Sequence, residues 1–384
     1  MFLKKFIILI LSAIAICIFA GCGDDMGPTV NDTPDEEIIN IILDDSGITY
    51  PEGAIYIDGN IIMITKGGSY NLSGILSDGK IIVDTQETIF LTLNGANITS
   101  AKSSAIEFVN TGKAVIEIAD GTENRFSDGE DKIKKSDTDG DTNAVIYSNS
   151  DIELHGGGAL YLTGNNRCGI HSNKSLDIYL SGELNIWAKN QGIFAQNRLN
   201  VHSGKIIIEQ SNEGMECKGE LVINDGNIWI TSKDDALNAG NNLVVNGGYI
   251  YADCNGDGFD SNGNMTINGG EIYIFAGTGK KGNKGALDVS DGDKIGKFTI
   301  NGGTIIAAGG YMKIDVEANS KQNYVWIEPD SQFQFDVEGA ANAKIISEDG
   351  KEIIAFTFPK ECELVFFSSD KINSSEIYLI EPDS

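Results

Sequence analysis

The stretch "GNIWITSKDDALNAGNNLVVNGGYIYADCNGDGFDSNGNMTINGGEIYIF", Gly226 to Phe275, repeats itself: "GNIWIT" at Gly226 returns as "GYIYAD" at Gly248 and "GEIYIF" at Gly270, 22 residues apart each time. The period extends backwards through Gly204 ("GKIIIE") to Gly182 ("GELNIW"). Gly158 ("GALYLT") lies 24 residues before Gly182, and Gly303 ("GTIIAA") lies 33 after Gly270. A fixed period built only of short strands and turns reads as a solenoid whose coils stack on one another. Composition agrees: 46 glycines against 6 prolines suit many tight turns, and the 41% apolar content suffices for a core.

Each coil holds three strand-like pieces. In the first, alternation separates an inward column (Leu184, Ile206, Ile228, Ile250, Ile272, Ile305) from an outward one (Asn185, Ile207, Trp229, Tyr251, Tyr273, Ile306). The second centres on Ile170, Ile193, Met215, Leu237, Phe259 and Leu287, expected inside. The third ends on Asn224, Asn246, Asn268 and Asn301, a column explained by left-handed corners and by amides bonded from coil to coil. Equivalent residues then lie about 4.8 Å apart, the spacing of paired strands. The expected fold is an all-β parallel β-helix with coils of about 22 residues, spanning 38–320 with irregular opening coils, and a strand-rich segment at 321–384 that caps it.

The N-terminus "MFLKKFIILILSAIAICIFAGCGDD" has the order of a bacterial secretion signal. Phe19-Ala20-Gly21-Cys22 resembles a lipoprotein processing box, so residues 1–21 are expected to be removed and Cys22 acylated. An uncleaved anchor is the alternative, and either places the rest outside the membrane. Residues 22–37 read as an acidic tether. Without Lys4 and Lys5 the chain has 26 basic against 56 acidic residues, a charge near −30 that excludes nucleic acid and anionic lipid surfaces as partners. Cys168, Cys217, Cys254 and Cys362 form no CxxC pair, so neither a zinc knuckle nor a redox motif is indicated.

Before each second strand the residues read Cys168, Gln191, Glu213, Asp235, Asp257, Gly285, and three further on His171, Phe194, Glu216, Asn238, Asp260, Asp288. Both columns turn acidic over the same coils. Turn chemistry favours Asp but not Glu, and does not predict coincident columns. A shared calcium ion relieves the repulsion, with Glu213, Glu216, Asp234, Asp235, Asn238, Asp257, Asp260 and Asp288 as expected oxygen ligands; solvated charge is the alternative. A second loop, "KSDTDGDTNA", spaces Asp137, Asp139 and Asp141 as alternating ligands, but Gly140 and Ser148 depart from the EF-hand pattern and a plain turn stays open.

Trp229, Tyr251 and Tyr273 share one outward position in consecutive coils, with Tyr161 further along that face. A row of rings suits the apolar faces of sugars in an extended glycan; alternatively these are good strand residues that the C-terminal segment covers.

The runs "GILSDGKIIVDTQETIFLTLNGANITSAKSSAIEFVN", "IADGTENRFSDG", "DTDGDTNAVIYSNSDIELHGGGALYLTGN", "NEGMECKGELVINDGNIWITSKDDALNAGNNLVVNGG" and "NKGALDVSDG", with the tail "IIAFTFPKECELVFFSSDKI", resemble a carbohydrate-binding β-helix family of bacterial surface proteins related in shape to pectate lyases. The resemblance covers about residues 60 to 380. It implies a right-handed parallel β-helix that holds calcium and binds plant cell-wall polysaccharides, including pectin backbones and cellulose. Calcium is carried over onto Glu213 to Glu216, Asp234 to Asn238 and Asp257 to Asp260; Cys168 and Gln191 depart from the acidic pattern. A lyase would need a base beside calcium: Arg125, Arg167 and Arg198 lie outside the acidic coils, while Lys218, Lys233, Lys280, Lys281 and Lys284 lie near them. The expected function is glycan binding by a monomer, without catalytic residues. Polysaccharide lyase and structural adhesin are the alternatives.

Overall fold

The computed structural model describes residues 38–129, 144–278, 284–329 and 341–382, apart from positions 49, 51, 52, 54, 293, 311, 313 and 374. Cys22, the secretion signal, the tether, and Asp137, Asp139 and Asp141 lie outside the described residues.

Every regular element among the described residues is a β-strand, and the repeat seen in the sequence is the pairing register itself. Ile206 pairs in parallel with Ile228, Ile228 with Ile250 and Ile250 with Ile272, and the 33-residue step appears as Ile272 against Ile305. The second pieces form an 11-stranded sheet. The first and third pieces merge into one 19-stranded sheet, because Ser175–Ala188 and Arg198–Ser211 bend from one face to the next without a break. The chain is a parallel β-helix.

Alternation sorted the core correctly. Leu184, Ile206, Ile228, Ile250, Ile272 and Ile305 are fully buried, as are Ile193, Met215, Leu237, Phe259 and Leu287, so a continuous apolar column runs through the stack. Gly204, Gly226, Gly248, Gly270 and Gly303 all have positive φ, between 89° and 126°, and form the corner between third and first strands. A side chain would be strained there, which is why glycine recurs at these five corners; at Gly158 and Gly182, earlier in the series, φ is not positive and close approach of the neighbouring backbone excludes a side chain instead.

That corner corrects one expectation. Among the described residues none but glycine has positive φ, so the Asn column is not left-handed; the glycine two residues on takes that conformation instead. The amide ladder is present: Asn246 Nδ2 donates to Asn224 Oδ1 at 2.8 Å, Asn268 to Asn246 at 2.7 Å and Asn301 to Asn268 at 2.7 Å.

The two ends are closed by antiparallel strands. At the start, Ile55–Asp58 and Ile61–Ile64 form a hairpin, and Ile48, Tyr50 and Ile57 pack against the core. At the far end, Leu364–Ser368 pairs antiparallel with Thr304–Gly309, the last strand of the stack, and with Tyr324–Ile327. Ala341–Ser347, Glu352–Phe358 and Tyr378–Pro382 make a separate antiparallel sheet. Its apolar side joins Phe275, Ile306 and Ala308 in a second cluster, so the C-terminal segment covers part of the flank as well as the end.

Candidate functional site

The second-strand sheet brings the two acidic columns side by side. Phe194 pairs with Glu216, Glu216 with Asn238, Asn238 with Asp260 and Asp260 with Asp288, one coil per step. The other column follows the same ladder: Gln191 pairs with Glu213, the Gly214 N–H donates to the Asp235 carbonyl and the Ala236 N–H to the Asp257 carbonyl.

The motif around these carboxylates is dictated by packing more than by turns. Between them sits a small buried residue, Gly214, Ala236, Gly258 or Ala286; at the glycines the chain runs close against the following coil. A Cβ on Gly214 would meet Ile230 at 2.5 Å and the Ala236 carbonyl oxygen at 2.3 Å. Then comes the inward apolar residue, then the outward acid. The order acid, small, apolar, acid is therefore one short strand seen along its length.

Some of the acids hold the stack together. Asp235 Oδ1 accepts the Asp257 N–H at 2.7 Å, and Asp257 Oδ1 accepts the Gly285 N–H at 2.6 Å. Asn238 Nδ2 donates to Asp235 Oδ2 at 3.1 Å and joins the two columns. Asp234 and Asp235 both crowd Gly256, where a Cβ would lie 2.5 Å and 2.4 Å from their carboxylate oxygens. Glu216, almost fully buried, accepts from Gln191 Nε2 at 2.6 Å and is ion-paired with Lys218.

Glu213 is different. Its Oε2 is buried with no hydrogen-bond partner, and burial pushes the carboxyl up to about 8, with Asp235, Asp234 and Glu216 adding like charge. Burial raises Asp235 as well, with the Asp234 charge a further contribution. The notch formed by Glu213, Asp234, Asp235 and Glu216 thus concentrates negative charge that the protein itself compensates only in part. Among the described residues no three acidic, histidine or cysteine side chains converge as a preassembled metal centre. Toward the N-terminus the acidic run stops at Gln191, whose amide oxygen accepts from the Cys168 thiol at 3.2 Å.

On the same face the structure adds Tyr147 ahead of His171 and Phe194 in the outward column, with ring centroids 5.3 and 4.4 Å apart. Their faces are turned to one another along the stack, so they serve as packing.

The other aromatic column occupies the first-strand face in the expected register, Trp229 against Tyr251 and Tyr251 against Tyr273. Its members part company there. Tyr251 and Tyr273 pack against the C-terminal cluster, and burial pushes the Tyr251 hydroxyl up to about 12. Lys360 fixes that contact, ion-paired with Asp253 and donating to the Cys254 carbonyl at 2.7 Å. Trp229 lies outside the cluster, tilted at 44° against Tyr249 with centroids 5.4 Å apart. Tyr161 carries the Arg125 guanidinium over its ring at 4.1 Å. Tyr251→Ala should therefore destabilise the chain by about 1 kcal/mol by removing contact with Phe275 and the C-terminal strands. Denaturant unfolding checks this, and an unchanged midpoint would mean the ring does not support that interface.

A sequence model of the family described as carbohydrate-binding domain-containing protein matches residues 58–251 and, in an overlapping stretch, 181–323. The chain belongs to that family. A carbohydrate-binding domain-containing protein of Acetivibrio thermocellus is 33% identical over 183 residues, 46% of this chain and 63% of the relative. The match thus spans less than two thirds of that relative's length. A solved structure of a polysaccharide lyase-like protein from C. thermocellum, a gadolinium derivative, aligns with 24% identity and a TM-score of 0.45 over 73% of this chain and 95% of the other.

Proposed function

We propose that this carbohydrate-binding chain is a non-catalytic, monomeric lipoprotein held by Cys22 on the extracellular face of a bacterial membrane, where it binds plant cell-wall polysaccharide. Acidic, pectin-type glycan would lie on the second-strand face, and neutral, cellulose-type glycan on the aromatic face. The observation that carries the reading is the pair of in-register acidic columns, with the Glu213 Oε2 atom buried and without a hydrogen-bond partner among three further carboxylates. Calcium fits this donor set, because hard oxygen ligands from adjacent coils are what the ion prefers. Glu213, Glu216, Asp234, Asp235, Asn238, Asp257, Asp260 and Asp288 would hold it. When bound, calcium supplies positive charge to a face that otherwise repels uronate carboxylates.

The nearby lysines favour binding over elimination. Lys218 is paired with Glu216, and Lys284 donates to the Asn255 carbonyl at 2.9 Å while lying 3.8 Å from Asp234. A base for β-elimination has to reach the proton of the bound sugar, and these side chains are already engaged by oxygens of the protein.

Calcium should raise the melting midpoint by a few degrees and chelator should reverse it, since a ligand of the folded state alone shifts unfolding by mass action. In Asp257→Asn/Asp260→Asn most of that response should vanish, together with calcium-dependent retention on polygalacturonate. Coincident melts with calcium and chelator would return the columns to solvated charge. Steady release of ultraviolet-absorbing unsaturated product would replace the binding reading with a lyase.

A further inference from the structure

The uncovered part of the first-strand face holds a second tryptophan that completes a pair. Trp187 ends the strand Ser175–Ala188, two residues beyond the column of Trp229, and its register partners are Thr163 and Gln210. Its neighbours Ile186 and Ala188 point into the core, so Trp187 faces outward, and it is half-buried. The next coil supplies Ile207, which pairs with Asn185 on one side and Trp229 on the other. Trp187 and Trp229 therefore stand two coils apart, about 10 Å along the axis at roughly 4.8 Å per coil, and are offset across it by two strand residues, about 7 Å, for a separation of about 12 Å. Neither is part of the cluster formed with the C-terminal strands.

Polar groups lie between and beside the rings. Asn185 Nδ2 donates to Glu209 Oε1 at 3.0 Å, and Lys205 pairs with Glu183 at 2.8 Å. Only Lys205 and Glu183 cancel each other; Glu209 keeps its negative charge, and the whole chain carries −28. A polyanion would gain nothing on this face, whereas a neutral glycan meets hydrogen-bonding groups flanked by apolar rings.

We infer that Trp187 and Trp229 are the two anchors of a track for a neutral, unbranched, ribbon-like β-linked polysaccharide running obliquely across the first-strand face. In such a chain alternate sugars present the same ring face, and rings about 12 Å apart on the oblique line can each meet one of them. Tyr251 and Tyr273, further along the column, belong to the C-terminal interface. The inference rests on the glycan-binding reading above and locates its neutral ligand.

The test is depletion binding to microcrystalline cellulose and affinity electrophoresis in hydroxyethyl cellulose, with calcium-loaded polygalacturonate in parallel. Trp187→Ala and Trp229→Ala should each weaken neutral-glycan retention about tenfold, and the double variant should abolish it. Retention on polygalacturonate should not change. Trp187→Phe keeps a ring, should restore part of the affinity, and serves if the alanine variant fails to fold. Soluble cello-oligosaccharides should gain affinity abruptly once they are long enough to reach both rings. Wild-type retention by Trp187→Ala and Trp187→Phe beside a defective Trp229→Ala would overturn the paired track while leaving glycan binding intact. Wild-type protein that neither glycan retains would overturn the binding reading itself, and the track with it.

Discussion

Gly258→Val should destabilise the chain by about 3 kcal/mol, at the upper end for an overpacked core. A Cβ at Gly258 would lie 2.0 Å from Ile274 Cγ2 and 2.5 Å from the Ala286 carbonyl oxygen. That oxygen already receives the Phe259 N–H at 3.0 Å, so the added atoms would wedge into a coil-to-coil hydrogen bond. The neighbouring coils carry Ala236 and Ala286 at this position, both fully buried, which shows that one methyl group can be accommodated when the local spacing allows. Gly258→Ala should thus fall between wild type and Gly258→Val. Urea unfolding of the three proteins measures the series. Equal stability of all three would mean that the small residue in the acid, small, apolar, acid motif is not set by packing, and turn preference would have to explain it.

The fold was legible because a solenoid writes its contacts into the sequence as a period. Ile228 and Ile250 are both 22 residues and one hydrogen-bonded step apart, so aligning glycines amounts to reading the strand register. The acidic columns were legible for the same reason. What the period does not encode was missed, misread or left open. The partial burial of Tyr251 and Tyr273, one of the two readings the sequence left open, depends on strands about a hundred residues further on, joined through contacts such as Lys360 to Cys254, which follow no repeat. Trp187 was overlooked because only the first outward position of each strand was followed, although the alternation that exposes Trp229 also exposes the residue two further on. The Asn column was assigned its ladder correctly but its backbone wrongly: a polar residue beside a glycine-rich corner does not reveal which of them takes the left-handed conformation.

Glu213 gives the fold a pH dependence whose sign is unusual for a carboxylate. Its folded value lies near 8 against 4.5 for the free side chain, so the folded chain holds a proton that the unfolded chain has released. Stability from this group is complete below about pH 4.5 and is lost as the pH rises toward 8, the reverse of a salt-bridged acid. The whole shift would be worth several kcal/mol; partial exposure of the side chain reduces the expected loss to about 2 kcal/mol. Asp128, raised to about 6 by burial, acts in the same direction, and Glu153, lowered to about 2 with its hydrogen bond to His155 as the largest cause, acts in the opposite one. A comparison of Glu213→Gln with wild type cancels both, because neither group belongs to the notch. The variant, uncharged at every pH, should gain on wild type by about 2 kcal/mol between pH 5 and pH 8 in chelator. Calcium in excess should recover much of the wild-type loss at pH 8 and far less at pH 5, where a proton already occupies the carboxyl. A constant difference between the two proteins across that range would show that Glu213 ionises without penalty, and the compensating charge would then have to come from the protein itself.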